Sequence, residues 1–459
     1  MANIFAFFSE KYCYLVVLLA KKQYLCTRNM ARISLHTRHS ELLQNMAKLF
    51  SANVLAQAVA LLVYPILTRQ YAPEDFGLLS LFLNIGNILI LVSTMEYQYA
   101  ILLSKEARQS RAATQLSLLC ALAWTVMLTA LLPFRGHIAA LLHIEHNTSC
   151  FLLLPLFVIA GAGWNIANMY LTRRKSFGAI SRYKISNTLL LSLGKLGFGR
   201  LGFTSWGLIV STVAASLLSL LPVTAGRIRE AVTRLVHIDH AALREVAHAY
   251  RKFPVFSLPR ALVNSLGIAL PALILTPAFG LKELGFYSMA VTLSFMPISL
   301  VISSVQQVLF QRITEKVNAG LPIRRGLQRF TVRTLLLVLP LFALLCYPLP
   351  AITNLLLGEG WECSGLYIRW MLPWLLMTCL NGPICFVADV FMAQGTGLIF
   401  ECAILLARLA GLMTGVRMQN FDYALIGYIA GTTLVLIIQL IWYYRLISRY
   451  ERTLHSSTR

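Results

Sequence analysis

The chain is short of charge. Only 13% of its 459 residues are Asp, Glu, Lys or Arg, and just 18 are acidic, where soluble domains carry about 25% charge. So few charges cannot cover a water-facing surface, which excludes a soluble globular enzyme. Paired cysteines are also lacking. Cys13, Cys26, Cys120, Cys150, Cys346, Cys363, Cys379, Cys385 and Cys402 contain no CxxC spacing, and most lie in apolar runs. They read as small hydrophobes rather than as a disulfide framework or metal and redox ligands. No Walker A sequence is present, so nucleotide hydrolysis by that route is excluded. Gly197-Phe-Gly199-Arg-Leu-Gly202 spells GxGxxG, but it follows no strand and has no acidic residue at the ribose distance, so it is no dinucleotide site. His137, His143 and His146 read as a wet loop rather than a metal set, and His237 and His240 as the polar face of a connecting segment. We expect no metal and no cofactor.

Apolar sequence fills the place of the missing charge. Hydrophobic residues make up 58% of the chain and the mean hydropathy is +0.69, the signature of a polytopic membrane protein. Twelve runs approach the roughly 20 apolar residues needed to cross a bilayer: about 47–67, 77–103, 112–133, 150–171, 186–199, 205–224, 254–278, 285–309, 334–356, 365–391, 398–416 and 423–444. The fifth is the weakest, being short and holding Lys195.

The net charge of +22 points to topology rather than to nucleic acid, because no basic and aromatic block of a nucleic-acid module is present. With the N-terminus placed in the cytoplasm, 31 of the 40 Lys and Arg residues fall on the cytoplasmic side, 6 outside and 3 within spans. That asymmetry puts both termini inside. The domain reading follows. Residues 1–45 form a basic cytoplasmic arm, or else lie upstream of a true start at Met30 or Met46. A first six-helix bundle covers 46–225, a cytoplasmic amphipathic linker 226–253, a second bundle 254–445 and a cytoplasmic tail 446–459. The fold expected is an all-α integral membrane protein of about 12 spans in two six-helix bundles.

An internal echo supports the two bundles. Tyr71-Ala-Pro-Glu-Asp-Phe-Gly77 and Phe279-Gly-Leu-Lys-Glu-Leu-Gly285 share the order aromatic, small, any, charged, acidic, apolar, Gly. An even number of helices separates them, so the bundles have the same orientation, related by a pseudo-two-fold axis parallel to the membrane normal. Within the first copy, Pro73, Glu74 and Asp75 suit a helix start, and Gly77 permits close helix approach. Arg69, at a helix end, is either a turn anchor or a group reaching water or phosphate.

Ionisable residues inside spans are costly unless they face water or a partner. Arg260 follows Pro254 and Pro259, and a cation in a proline-disturbed helix reads as cavity lining. Lys195 and Arg408 are cavity candidates that also suit helix ends. Glu96 and Asp389 are candidates to balance these cations or to carry a coupling proton. Glu401 and Arg369 read as interfacial.

Tyr64-PILTRQYAPEDFG-Leu78, the stretch 250–312 and LLLGEGWECSGLYIRWMLPWLL at 355–376 resemble bacterial polysaccharide biosynthesis proteins. These are lipid-linked oligosaccharide flippases of the multidrug/oligosaccharidyl-lipid/polysaccharide exporter superfamily, and the resemblance runs over about 46–445. It implies a transporter rather than an enzyme, one that moves a polyprenyl-diphosphate-linked repeat unit across the bacterial inner membrane by alternating access. Arg260, with Lys195 or Arg408, would then meet the diphosphate, and Tyr64, Tyr97, Tyr99, Trp164 and Asn168 would meet sugars. The expected partners are the lipid-linked substrate, membrane lipids, and a polymerase with its chain-length machinery. An ion-coupled small-molecule antiporter of the same superfamily and a membrane polymerase or ligase are the competing readings.

Overall fold

Each of the twelve apolar runs is helical along most of its length in the computed structural model, which describes residues 36–104, 106–224, 239–391 and 393–457. The chain divides into two units, 1–47 and 48–459. Of the first, only helical backbone from residue 36 is described. Most of the expected basic arm, the linker residues 225–238 with His237, and the side chain of His146 lie outside the described residues.

The helices before the linker are α1 (His36–Leu67), α2 (Pro73–Ser93), the short α3 (Gln98–Leu103), α4 (Ala107–Leu131), α5 (Arg135–Leu141), α6 (Leu154–Arg173), α7 (Phe177–Arg200) and α8 (Ser205–Thr224). The linker contributes α9 (His240–Ala249). After it come α10 (Leu258–Phe279), α11 (Leu281–Asn318), α12 (Arg324–Cys346), α13 (Leu349–Leu357), α14 (Glu362–Asn381), α15 (Val387–Val390), α16 (Gln394–Arg417) and α17 (Phe421–Ser457). Among the described residues there is no strand. Among the described residues ten helical stretches are long and apolar enough to cross a membrane, and the protein is a multi-pass membrane protein. Two of the twelve expected runs are not among them. In α1 the described apolar stretch is the shorter Asn53–Leu67, and α7 carries Arg182, Lys184, Lys195 and Arg200.

Several spans are interrupted. The second breaks at Thr94–Tyr97, between α2 and α3, where Met95 and Glu96 take left-handed φ of 47° and 63°. The seventh begins with a wide π-type turn at Phe253–Ser257, consistent with Pro254 and Pro259 disturbing the ladder. The tenth breaks at Gly382–Ile384, after Asn381. The run at 334–356 is two helices, α12 and α13, joined at Tyr347-Pro348.

The bundle has two unlike ends. One, termed outer, holds the turns at 68–72, 201–204, 280 and 358–361. The other, termed inner, holds α9 and the turn at 319–323. At the outer end one hydrophobic core joins helices from before and after the linker, running through Leu67, Phe76, Leu208, Leu284, Trp361 and Leu425. At the inner end there are two separate cores. One uses Ile101, Ala113, Ile166 and Val246, and the other Ile313, Leu327, Phe386 and Ile447.

The echoed sequences meet at the outer end. A Cβ on Gly77 would lie 2.0 Å from the Leu281 carbonyl oxygen, and one on Gly285 would lie 1.8 Å from that of Pro73. Each copy therefore rests its glycine on the other's first turn, and the absence of side chains lets α2 and α11 touch backbone to backbone. Thr68 Oγ1 donates to the Leu357 carbonyl at 2.7 Å, and Trp361 Nε1 donates to the Thr68 carbonyl at 3.2 Å. The Trp361 ring meets Phe76 and Phe286 edge to face, at 5.5 and 5.8 Å between centroids. The three sequence stretches that carry the family resemblance thus build one contact.

At the inner end the linker helix is fastened to the first group of helices. Ala242 and Val246 are buried against Ala112 and Ile101. Asp239 caps α9 by accepting from the Ala242 N–H at 3.0 Å and also accepts from Arg108 Nη2 at 2.7 Å. On the other side, Glu451 of α17 accepts from the N–H groups of Ile323 and Arg324, at 2.9 and 2.8 Å, at the start of α12.

Candidate substrate cavity

A fused outer core above two separate inner cores leaves a cleft between the two groups of helices. It is a cavity of about 640 Å³. Its wall takes residues from α1, α2 and α7 on one side and from α10, α11 and α14–α17 on the other. Arg260, Lys195, Arg408 and Asp389 all line it.

Arg260 stands in the first turn of α10, exposed to the cavity. One turn on, Asn264 Nδ2 donates to Glu401 Oε2 on α16 at 3.1 Å. Another turn on, Gly267 faces Arg408. A Cβ there would stand 3.2 Å from Arg408 Nη1, so the missing side chain makes room for the guanidinium. Arg408 lies over the Tyr428 ring at 5.4 Å, and its Nε donates to Thr432 Oγ1 at 3.4 Å. These contacts hold the plane of the guanidinium and leave its Nη groups toward the cavity. Lys195 approaches from α7. It is 8% exposed, and its backbone carbonyl is held by the Tyr71 hydroxyl at 2.7 Å.

Among the described residues no carboxylate lies within ion-pair distance of Lys195, Arg260 or Arg408; the ion pair found is Arg108–Asp239, at the inner end. Three cations drawn from both groups of helices therefore share one cleft without direct partners. Such groups are costly in an apolar protein unless water or an anionic ligand answers them.

The other residues singled out in the sequence lie elsewhere. Arg69 is exposed in the outer turn, its side chain near Gly358, and is not part of the wall. Glu96 is 7% exposed at the break after α2. It is outside the wall but within electrostatic reach of Arg260. Of the aromatic and amide candidates, Tyr64 lines the cavity, while Tyr97, Tyr99, Trp164 and Asn168 do not. Trp164 stacks on Tyr183 instead. Arg369 is exposed outside the cavity. Glu401, expected at the interface, is on the cavity wall, because its position on α16 faces Asn264 of α10.

Sequence reading missed the neutral polar lining: Asn84, Asn264, Thr378, Asn381 and Gln439. An Asn inside an apolar run is a detectable signal, since an amide in hydrocarbon needs a partner or water. The stacked pair Phe295 and Trp374, 6.1 Å apart and nearly parallel, also lines the cavity. No sequence signal separates these rings from ordinary core aromatics. Among the described residues no group of three His, Cys, Asp or Glu side chains is placed to hold a metal.

Residues 66–365 match the family of polysaccharide biosynthesis proteins. The chain belongs to this family. It is 23% identical over 298 residues to the succinoglycan biosynthesis transport protein ExoT of Rhizobium meliloti (strain 1021), a match covering 65% of this chain and 58% of that relative. The chain thus spans under two thirds of the curated relative's length. Its fold is similar to that of the lipid II flippase MurJ in an inward closed conformation, with a TM-score of 0.69 at 12% identity over 88% of this chain and 90% of the other. It is also similar to an inward-facing multidrug resistance MATE family transporter of the MOP superfamily, with a TM-score of 0.61 at 14% identity over 88% and 96%.

Proposed function

We propose that the protein is a flippase that carries a polyprenyl-diphosphate-linked oligosaccharide across the bacterial inner membrane by alternating access. The observation that carries this reading is the cleft with three unpaired cations, Lys195 from one group of helices and Arg260 and Arg408 from the other. A diphosphate is the anion such a cleft suits, since guanidinium and ammonium groups give charge-assisted hydrogen bonds to its oxygens. Family membership and the relative named for succinoglycan transport support a saccharide cargo.

The physical task is to spare the sugar hydroxyls and the diphosphate the loss of water, which costs several kcal/mol for each unanswered polar group. The cleft answers them while the lipid tail stays in the bilayer. With the outer end closed and the inner cores apart, the cargo enters from the inner side. Rocking the two groups of helices then opens the outer end and closes the inner one. The basic inner end is read as cytoplasmic, with both termini there. A membrane potential negative inside favours outward passage of an anion by about 2.3 kcal/mol per charge per 100 mV. Asp389, on the wall, and Glu96, near Arg260, are the proposed sites for a coupling proton. A polymerase and its chain-length machinery would receive the flipped unit.

The test is a deletion strain assayed for lipid-linked repeat units on each leaflet. Loss of a flippase leaves them on the inner leaflet. Loss of a polymerase or ligase leaves them flipped, and loss of a small-molecule antiporter leaves them untouched. Arg260→Ala should fail to restore polymer while remaining inserted and folded, and near-normal polymer would overturn the cavity role of Arg260.

A further inference from the structure

The cavity is chemically two-sided. Its cations lie at two levels: Arg260 near the mouth, and Arg408 with Lys195 deeper toward the closed outer end. The wall contributed by α14–α16 is different, because it offers hydrogen-bond acceptors. Glu401 faces the cleft with one partner, the Asn264 amide. Asp389 faces it exposed. Both carboxylates lie within electrostatic reach of the Cys385 thiol and the Tyr443 hydroxyl, so they belong to one patch. Asn381 lines the same side of the cleft. Its Nδ2 donates to the backbone carbonyls of Met377 and Leu436, at 2.9 and 3.2 Å, which turns its Oδ1 away from both. That oxygen is buried without a partner in a side chain 4% exposed on the cavity wall. Two carboxylates and an orphaned acceptor on the same side of the cleft call for a ligand rich in donors.

Spacing says which part of the cargo would meet it. Glu401 and Arg408 lie on one helix, and their heads meet α10 at Asn264 and Gly267, three residues or about 5 Å apart along its axis. A diphosphate held by Arg408 and Lys195 therefore puts the sugar attached to it at the level of Glu401 and Asn264. Resting on the flippase reading above, we propose that Glu401, Asp389 and Asn381 form a subsite for the first sugar after the diphosphate. It accepts a neutral or amino sugar through its hydroxyl and N–H donors and rejects a sugar bearing a carboxylate. Arg260 stands one turn of α10 nearer the mouth than Asn264, and Glu401 has no cation within ion-pair distance among the described residues.

The experiment uses the purified full chain and three probes: a short polyprenyl diphosphate with no sugar, the same lipid carrying one neutral hexose, and the same lipid carrying one hexuronic acid. The wild type should bind the hexose probe at least about tenfold more tightly than the hexuronate probe, a difference of about 1.4 kcal/mol. Glu401→Gln, which keeps an acceptor for Asn264, should bring that ratio down several-fold, and Glu401→Lys should bring it to one or invert it. Asp389→Asn should act in the same direction, more weakly. Equal wild-type binding of the two sugar probes, or a ratio unmoved by both Glu401 variants, overturns the subsite while leaving the flippase reading in place. If both probes weaken in parallel in Glu401→Gln, the residue serves transport in general and the selection is wrong. If the bare polyprenyl diphosphate does not bind the wild type, the flippase reading itself falls and takes this inference with it.

Discussion

The outer and inner ends of the bundle use the same kinds of residue to opposite effect. At the outer end glycines and aromatics draw the two groups of helices together: Gly77 and Gly285 rest on each other's first turns, and Trp361 is wedged between Phe76 and Phe286. At the inner end the two groups have separate cores, and fastening occurs within each group, through Asp239 on Arg108 and Glu451 on the start of α12. The proposed rocking needs this asymmetry. The end that is closed must hold by contacts that can be given up together, and each lobe must keep its shape when they are. The outer contact uses few hydrogen bonds across the groups and much ring packing, which can separate without stranding many polar atoms.

The sharpest way to break that comparison is to remove the wedge. Trp361→Ala should cost about 3–5 kcal/mol, as expected for truncating a buried Trp. Its thermal unfolding in detergent should fall accordingly, and the exposed thiol of Cys363, two residues on, should react faster with an impermeant thiol reagent. A variant that melts and labels like the wild type would show that Trp361 does not hold the outer end. Glycine substitutions make a paired test. Gly285→Ala drives a methyl into the Pro73 carbonyl and should cost about 1–3 kcal/mol as overpacking. Gly326→Ala, in the first turn of α12 at the inner end with nothing within 4 Å of its Cβ, should instead add roughly 0.5–1 kcal/mol by helix propensity. Equal effects at the two positions would erase the distinction between the ends.

Between the two ends lies the cavity, and there stability and function should part. Lys195 is buried without a counter-ion, so Lys195→Met should raise stability, by about 1–2 kcal/mol at the low end of what replacing buried charges yields. It should also weaken binding of polyprenyl diphosphate about tenfold, the 1.4 kcal/mol of a lost charge-assisted contact. A variant that loses stability would mean the ammonium has a structural partner and is not held for a ligand.

How much of this was legible in the sequence depended on which physical signal each feature leaves. Spans leave a long apolar run, so all twelve runs coincide with helix. The break after α2 leaves none: Thr94-Met-Glu-Tyr97 contains neither Gly nor Pro, although Met95 and Glu96 take left-handed φ. The gap at Asn381-Gly-Pro383 does carry a compositional signal, its Gly-Pro pair. The placement of Arg260 was readable because a cation beside prolines contradicts its apolar surroundings. Glu401 was misjudged because a single carboxylate near a helix start has the same local sequence whether it faces head groups or a facing amide. The partner that decides, Asn264, lies 137 residues away. The echo at 71–77 and 279–285 suggested two related bundles, and its reciprocal glycine contact is a tertiary fact that no local pattern encodes.

The smallest effect should be found at the inner fastening, and its sign is fixed by protonation. The Asp239 carboxyl is held below its ordinary value, first by the Ala242 N–H and then by the Arg108 guanidinium. A lowered folded value means that its contribution is complete above the ordinary carboxylate range and is lost as pH falls through the lowered value. The pair is fully exposed, so solvent screens it and the gain is slight. The helix cap is the more durable part. Hydrogen exchange of the α9 amides, corrected for intrinsic rate, should therefore be slow at neutral pH and quicken below about pH 4, with Asp239→Asn reducing that dependence. Glu245 of the same helix accepts from Gln109 at 3.1 Å and is a second tie between α9 and α4. If exchange in α9 is equally fast at neutral and acid pH, the linker is not held by this cap, and the first group of helices moves without it.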